Sequence, residues 1–254
     1  MKNEITKPEA GALAIPDIDQ MFGGEGYEIP IDAPLPQLTI LRETPQFGTP
    51  EGETVKFVIG HIIHWHHANQ YYVREYGDGE QGPPTCASSN GIVPNGGEEP
   101  FTNACRDCQL NVYGSAKEGR GKACQNTIRL YVLLDGQVIP CLIKASPASL
   151  SKKDSLINWL TNAPNVAAAA GVGTKYQPIK VKFSLHEKKF DSGFSASVLD
   201  LETVRVLDPN NEADVVKLQS LGQLWQDFMS HYVGRIRDDV AAEVDDGESG
   251  DTPF

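Results

Sequence analysis

Apolar and polar positions alternate along much of the middle of the chain, and this pattern predicts β-strands. Runs rich in β-branched and aromatic residues are separated by Gly, Pro, Asn and Asp, as in antiparallel sheets. The predicted strands cover residues 55–67, 70–76, 127–134, 137–145, 177–186 and 194–207. The pairs Ala68-Asn69 and Asp135-Gly136 predict hairpin turns between successive strands.

Two segments have the signals of helices. Ser146-Pro147 combines a capping residue with Pro at the first helical position, which predicts a helix to about Asn162. We expect a mobile loop over residues 163–174. A second helix is predicted from Glu212 to about Arg237. Its apolar stripe consists of Val215, Leu218, Leu221, Trp225, Phe228 and Tyr232.

This order of elements predicts a mainly β fold with some α-helix. Several strands, one inserted helix and a C-terminal packing helix suit a small closed barrel of the oligonucleotide-binding (OB) type. A β-sandwich with an inserted module would give a similar pattern. The predicted organisation is an extended arm (1–53) with one short strand near residues 38–41, a barrel domain (54–210) with an insert at about 82–126, a packing helix (211–237) and a disordered acidic tail (238–254).

Composition indicates a soluble globular protein. The chain has 254 residues, of which 40% are hydrophobic, and no apolar run approaches the roughly 20 residues that a membrane span needs. The polar N-terminal residues lack an apolar secretory segment. We therefore expect the protein to act in a reducing cytoplasm, where clustered cysteines bind metal more often than they form disulfides.

Four of the five cysteines, Cys86, Cys105, Cys108 and Cys124, lie within 39 residues in the spacing C-x18-C-x2-C-x15-C. A C-x2-C pair can chelate one ion, and structural zinc sites close the shell with two further thiolates. The surrounding segment is rich in Gly, Asn, Ser and Pro, so it needs a cross-link in place of a core. A structural zinc site is predicted, with an iron–sulfur cluster as the alternative. Cys141 lies in an apolar run and is expected to be a buried free thiol.

A second dense group is His61, His64, His66 and His67. Strand alternation predicts that His64 and His66 share one face, while Ile63, Trp65 and His67 share the other. A catalytic metal site on this strand is the alternative reading, although no acidic residue follows before Glu75.

Charge is divided into three blocks. Residues 1–100 carry 5 basic and 15 acidic side chains, residues 101–190 carry 13 and 5, and residues 191–254 carry 4 and 14. A basic middle block predicts a surface that binds a polyanion. Residues 238–254 contain seven acids and no Lys or Arg, and end in Asp251-Thr252-Pro253-Phe254. An acidic tail of this kind is expected to be disordered and to compete for the basic surface.

Proteins that hold unpaired DNA combine cations for phosphates with rings on which bases stack. Candidate residues of both kinds occur in the strands and in the insert. They are Trp65, Tyr72, Tyr113, Lys117, Arg120, Lys122, Arg129, Tyr131, Lys144, Lys180, Lys182, Lys188 and Lys189.

The cysteine motifs resemble a known family. The runs Cys-Ala-Ser-Ser-Asn-Gly (86–91), Cys-Arg-Asp-Cys-Gln-Leu-Asn (105–111), Gly-Lys-Ala-Cys-Gln-Asn (121–126) and Arg-Leu-Tyr (129–131) resemble the zinc-binding insert of bacteriophage single-stranded DNA-binding proteins. The resemblance covers about residues 55–207 and implies an OB fold with a structural zinc. Some phage relatives use one His with three Cys, so His64 or His66 in place of Cys86 remains open.

The last residues are similar to the Pro-Phe ending of bacterial single-stranded DNA-binding proteins, which recruits replication and repair enzymes. That similarity implies a partner-binding role for Asp251, Pro253 and Phe254. The leading hypothesis is thus a non-enzymatic, sequence-independent single-stranded DNA-binding protein of phage replication, recombination or repair. The alternatives are a metal-dependent nuclease that uses the histidine cluster and an adaptor that binds only proteins.

Overall fold

The structure is a computed structural model that describes residues 35–41, 44–73, 84–95, 104–117, 121–150, 155–190 and 195–245, with side chains from 231 onward left undescribed. Several predictions fall wholly or partly outside these residues. They concern the arm over residues 1–34, the end of the strand predicted at 70–76, parts of the insert at 82–126 with Arg120, the first residue of the strand predicted at 194–207, and the end of the tail with Asp251, Pro253 and Phe254.

The described residues form nine strands and two α-helices. The strands are β1 (Gln37–Ile40), β2 (Phe47–Gly48), β3 (Thr54–Val55), β4 (Phe57–Tyr71), β5 (Cys86–Ser88), β6 (Gln125–Leu134), β7 (Cys141–Ala145), β8 (Ile179–Lys189) and β9 (Ser195–Val206). The helices are α1 (Ser155–Ala169) and α2 (Glu212–Asp245), with short 3-10 helices at Gln109–Asn111 and Pro147–Leu150.

The strands join into one sheet in the order β3-β2-β1-β7-β6-β4-β8-β9, with β5 also paired to β4. Neighbouring strands are antiparallel except β1 and β7, which are parallel. The sheet curls into a half-barrel, so the mainly β, barrel-like prediction is confirmed at this level. Strand β9, at one end of the sheet, approaches the end of β1. Ser197 Oγ of β9 donates a 2.7 Å hydrogen bond to the carbonyl oxygen of Leu41, just after β1.

Strand β4 is longer than predicted. Ala68 and Asn69 do not form a turn, because they pair with Thr127 and Asn126 of β6 and are buried. Continuous pairing with β6 and burial on the sheet outweigh the turn preference of an isolated Asn. The predicted hairpin between residues 67 and 70 is therefore wrong.

A β-bulge at Ile63 changes which side chains share a face. Ile62 pairs with Val132 and His64 pairs with Tyr131, so Ile63 is the extra residue on β4. His64 and His66 share a face as predicted. Ile63 instead packs in the same cluster as Tyr131, because a bulge adds one residue to one strand and reverses the alternation beyond it.

The two faces of the sheet support two cores. The inner face and α1 enclose the larger core, which includes Ile62, Leu130, Val132, Phe183 and Leu199. The outer face and α2 form a smaller cluster, whose fully or nearly buried members are Ile63, Tyr131, Leu133, Leu207, Leu221 and Phe228.

The helices also differ from prediction. At the predicted start, Pro147–Leu150 forms a 3-10 helix. The α-helix follows and continues to Ala169 through Pro164, so the predicted loop from residue 163 is wrong in its first part. Ala163 and Ala167 are buried in the larger core, and this packing holds the helix across a proline that would end an isolated one.

The C-terminal helix begins where predicted. Asn211 Oδ1 accepts hydrogen bonds from the backbone N–H groups of Ala213 and Asp214, which is an N-cap. The helix continues to Asp245, so residues 238–245 of the predicted disordered tail are helical. Within the described residues, no helix is both long and apolar enough to span a membrane.

Gly60 lies at a close approach of two strands, and its replacement by Ala is expected to destabilise the protein. It pairs with both Leu134 and Val181, and an added Cβ would lie on the Leu133 carbonyl oxygen and 2.9 Å from Leu134 Cα. These neighbouring atoms belong to the backbone and cannot rotate away from the new methyl group as a side chain could. Gly60→Ala should therefore lower the free energy of unfolding by about 3 kcal/mol. Urea denaturation measures this change.

Gly48→Ala is the matched control, because its Cβ would meet Leu41 Cδ2 at an ordinary 3.5 Å. Equal stabilities of the two variants would contradict the tight packing of β4 against β6.

Candidate metal and nucleic-acid sites

The four clustered cysteines line one small cavity in the cysteine module (residues 82–126). Cys86, Cys105, Cys108 and Cys124 surround a space of about 20 Å³, enough for a single water-sized species. The remaining lining includes Tyr71, which follows Asn69 on the same face of β4. All four cysteines are free thiols. The four predicted zinc ligands thus lie around one cavity, and the zinc itself stays a prediction.

Burial and mutual proximity affect the acidity of these thiols. Burial, with a smaller effect of the neighbouring thiols, raises the pKa of Cys86 to about 11 and that of Cys124 to about 12. The same proximity would favour a cation that takes up thiolate charge. As placed, however, no group of three or more His, Cys, Asp or Glu side chains among the described residues has the arrangement of a metal site. The sulfur donors and the cavity that they share fit a zinc ion. The four sulfur atoms are not, however, placed so that they converge on one point.

Backbone hydrogen bonds connect the cysteine segments. Cys105 N donates to Ile92 O at 2.7 Å, and Cys124 N donates to Leu110 O at 2.8 Å. Asn111 Nδ2 donates to Cys105 O at 2.7 Å. The segments with Cys105 and Cys124 are therefore tied to other parts of the module, whereas Cys86 lies on β5, which pairs with β4.

An exposed ring and a fixed ammonium group lie side by side on this module. The Tyr113 side chain is 79% exposed, and Lys122 Nζ lies 5.4 Å from its ring centroid. Lys122 Nζ donates to Asn111 Oδ1 at 3.0 Å and to Asn126 Oδ1 at 2.9 Å. Asn126 in turn donates from Nδ2 to Asn69 Oδ1 at 2.7 Å, which connects the lysine to strand β4.

The asparagines of this network were not among the predicted site residues. Asn126 lies two residues after Cys124, and Asn111 lies three residues after Cys108, so both occur within the recognised motifs. Their contacts with Lys122 depend on how the loops fold together, which spacing alone does not predict.

The predicted cations of β8 are paired with acids. Lys180 Nζ lies 2.6 Å from Asp135 Oδ2, and Lys182 Nζ lies 3.2 Å from Glu202 Oε2. A carboxylate at this distance offsets the positive charge that a phosphate would meet. These lysines therefore form a weaker phosphate-binding surface than their sequence pattern predicts.

Arg129 and Tyr131 do share a strand face, but the structure buries both. Arg129 is 4% exposed and Tyr131 is 5% exposed. The ring of Phe228 from α2 lies 4.7 Å from that of Tyr131. As placed, neither candidate is open to DNA, and the apolar stripe of α2 covers Tyr131 on this side of the sheet. Lys144 pairs with Arg129 in register and is half-buried.

The other predicted residues lie apart from these groups. Trp65 is half-buried against the larger core, with the edge of its ring towards His67, and Tyr72 is half-buried just after β4. Lys117 is exposed on the cysteine module. Lys188 and Lys189 end β8, and Lys188 Nζ lies 5.6 Å from the Phe190 ring centroid. The described cations thus fall into separate groups, and a single continuous basic trough is not seen.

The histidines of β4 contact rings and backbone. His61 Nδ1 is hydrogen-bonded to Gln177 O at 2.9 Å, and His66 Nε2 to Tyr131 Oη at 3.1 Å. Neither His64 nor His66 lines the cysteine cavity. A histidine ligand in place of Cys86 therefore gains no support from this arrangement.

His64 is expected to make stability depend on pH. Burial, with a smaller effect of His66, lowers the pKa of His64 from 6.5 to about 4. The folded protein then binds fewer protons than the unfolded chain between these values, so stability is full above pH 6.5 and falls as the pH approaches 4. The loss should be at most about 3 kcal/mol.

Unfolding free energies between these pH values measure the effect. His64→Gln should reduce the slope without abolishing it, since burial also lowers the pKa of His61, His66 and His67. An unchanged slope in the variant would contradict the assignment.

Comparisons with known proteins found no match to a family model, and no significant match among curated proteins or solved structures. Function therefore has to be inferred from the residues and geometry of the chain itself.

Proposed function

We propose that this protein binds single-stranded DNA without reading its sequence, and that it has no enzymatic activity. The observation that carries the proposal is the Tyr113 ring beside Lys122. The ring is exposed while its neighbouring ammonium group is held by two asparagines. An unpaired base can stack on such a ring, and the adjoining phosphate can bind the ammonium group. Bases in a duplex do not offer their faces in this way.

The strand order supports an OB-type arrangement around this site. The strands β7-β6-β4-β8-β9 form a five-stranded run, and α1 lies in the chain between β7 and β8. In OB folds, the second and third strands and the loops after the first and fourth strands bind oligonucleotides. If β4 is counted as the first strand, β6 and β7 are the second and third strands. The cysteine module is then the loop after the first strand, and the connection that follows Lys189 is the loop after the fourth strand.

A structural zinc ion is part of the same proposal. Cys86, Cys105, Cys108 and Cys124 would hold it, and it would fix the loops that present Tyr113 and Lys122. The shared cavity and the soft sulfur donors support zinc. An iron–sulfur cluster uses the same ligand type and is distinguished by metal analysis.

The biological setting is proposed from the family resemblance. The protein would protect unpaired DNA during phage replication, recombination or repair in the host cytoplasm. Asp251, Pro253 and Phe254 would recruit replication or recombination proteins.

Direct binding tests this function. Labelled oligo-dT, single-stranded RNA of matched length and duplex DNA are titrated with the protein, and fluorescence anisotropy is recorded. We expect tight binding to oligo-dT and weaker binding to duplex. Incubation with divalent metals should leave every substrate intact. Equal affinity for duplex would contradict the proposal, and cleavage would favour the nuclease alternative.

A further inference from the structure

Helix α2 is attached to the sheet by a narrow stripe. Asp214, Leu221 and Phe228, spaced seven residues apart, are its buried side chains among residues 212–230. The firm attachment is at the start of the helix. There, Arg205 donates to both carboxylate oxygens of Asp214, at 2.7 and 2.9 Å. Towards residue 228 the contacts are between side-chain rings and apolar groups, together with Lys175 Nζ, which lies 3.8 Å from the Trp225 ring centroid.

A group of rings lies around Phe228 within a cluster that is otherwise mainly aliphatic. The Phe228 ring lies 4.7 Å from Tyr131 and 5.8 Å from His64, and the His64 ring is stacked 6.0 Å from His66. Ring distances of this size are those of interacting aromatic pairs. The inner face of the same strands is filled mainly with aliphatic side chains.

On the same face of the sheet, cationic side chains lie one row of paired residues away from these rings. Arg129 pairs with His66 on one side and with Lys144 on the other, and Tyr131 pairs with His64. Rings on β4 and β6 thus lie next to cations on β6 and β7. Rings beside cations are what stacked bases and their phosphates require.

We propose that α2 is a displaceable cover over a second single-strand-binding face formed by β4, β6 and β7. Bases replace Phe228 on Tyr131 and His64, and phosphates contact Arg129 and Lys144. The helix stays tethered at Asp214 while its later turns move away. This inference rests on the proposed function, because it names a second part of the same binding surface and the element that regulates it.

Full-length Phe228→Ala tests the cover. We expect it to bind oligo-dT about tenfold more tightly than the unmodified protein, since the stacking rings no longer have to be freed. Val216→Ala is the matched control on the same helix, because Val216 is 52% exposed, and its affinity should not change. Lys144→Gln should weaken binding clearly in the Phe228→Ala background and only slightly in the unmodified protein.

Hydrogen exchange of the unmodified protein provides a test that does not depend on a variant folding. Saturating oligo-dT should speed exchange in α2 around residues 221–230 and slow it in β6. Unchanged exchange in α2, or equal affinities of Phe228→Ala and the unmodified protein, overturns the cover while leaving the binding function intact. Absence of oligo-dT binding by every variant overturns the proposed function and the cover together.

Discussion

Replacing Cys124 with Ser is expected to remove the bound metal and unfold the cysteine module. Cys124 is buried in the cavity that the four thiols share, and Ser is a poor ligand for zinc. The module has few alternative sources of stability, because Ile92, Val93 and Val112 are exposed rather than packed in a core. Structural zinc contributes about 10–16 kcal/mol of apparent binding energy to small modules, so its loss should be decisive there.

Metal analysis of the purified protein measures this prediction. We expect one zinc per chain in the unmodified protein and none in Cys124→Ser, with faster hydrogen exchange over residues 104–117. Cys141→Ala is the control, because Cys141 is a buried thiol in β7 outside the cavity, and it should keep its zinc. Iron with sulfide in place of zinc would identify the cluster alternative. A metal-free protein that is insensitive to chelators would contradict a metal site altogether.

The second large effect is expected from Tyr113→Ala. A base stacked on an aromatic ring contributes roughly 1–3 kcal/mol, so affinity for oligo-dT should fall by about one order of magnitude. Thermal stability should hardly change, because the side chain is 79% exposed and buries little surface. Anisotropy titration measures the affinity, and calorimetry measures the stability.

Tyr113→Phe separates stacking from other roles of the tyrosine. It keeps the ring and removes only the hydroxyl group, so its affinity should stay near that of the unmodified protein. Equal losses in both variants would show that the hydroxyl group, not the ring, makes the contact. No loss in either would place the stacked bases elsewhere.

Local patterns predicted most strands and the start of the second helix, because alternation and capping act over a few residues. The errors arise where distant parts of the chain meet. Pairing with β6 carries β4 through Asn69, and packing of Ala163 and Ala167 carries α1 past Pro164. The bulge at Ile63 depends on the register between two strands and leaves no local signal.

The candidate site shows the same division. Cysteine spacing predicted which four thiols line one cavity, since the motif itself brings two of them together. Arg129 and Tyr131 share a face because they lie two residues apart on β6. Alternation explains this shared face. It did not predict that Phe228 covers this face, although the apolar stripe of the helix was recognised. Which surface an amphipathic helix covers depends on the whole fold.

The dependence of oligo-dT affinity on salt tests the central claim most directly. Lys117, Lys122, Lys188 and Lys189 are the described candidates that lie on or near the loops of the proposed site. Contacts from these four to single-stranded phosphates predict a slope of about −3 for log affinity against log salt concentration. Such a slope would support binding through phosphates and stacked bases, and an affinity that stays constant from low to high salt would contradict it.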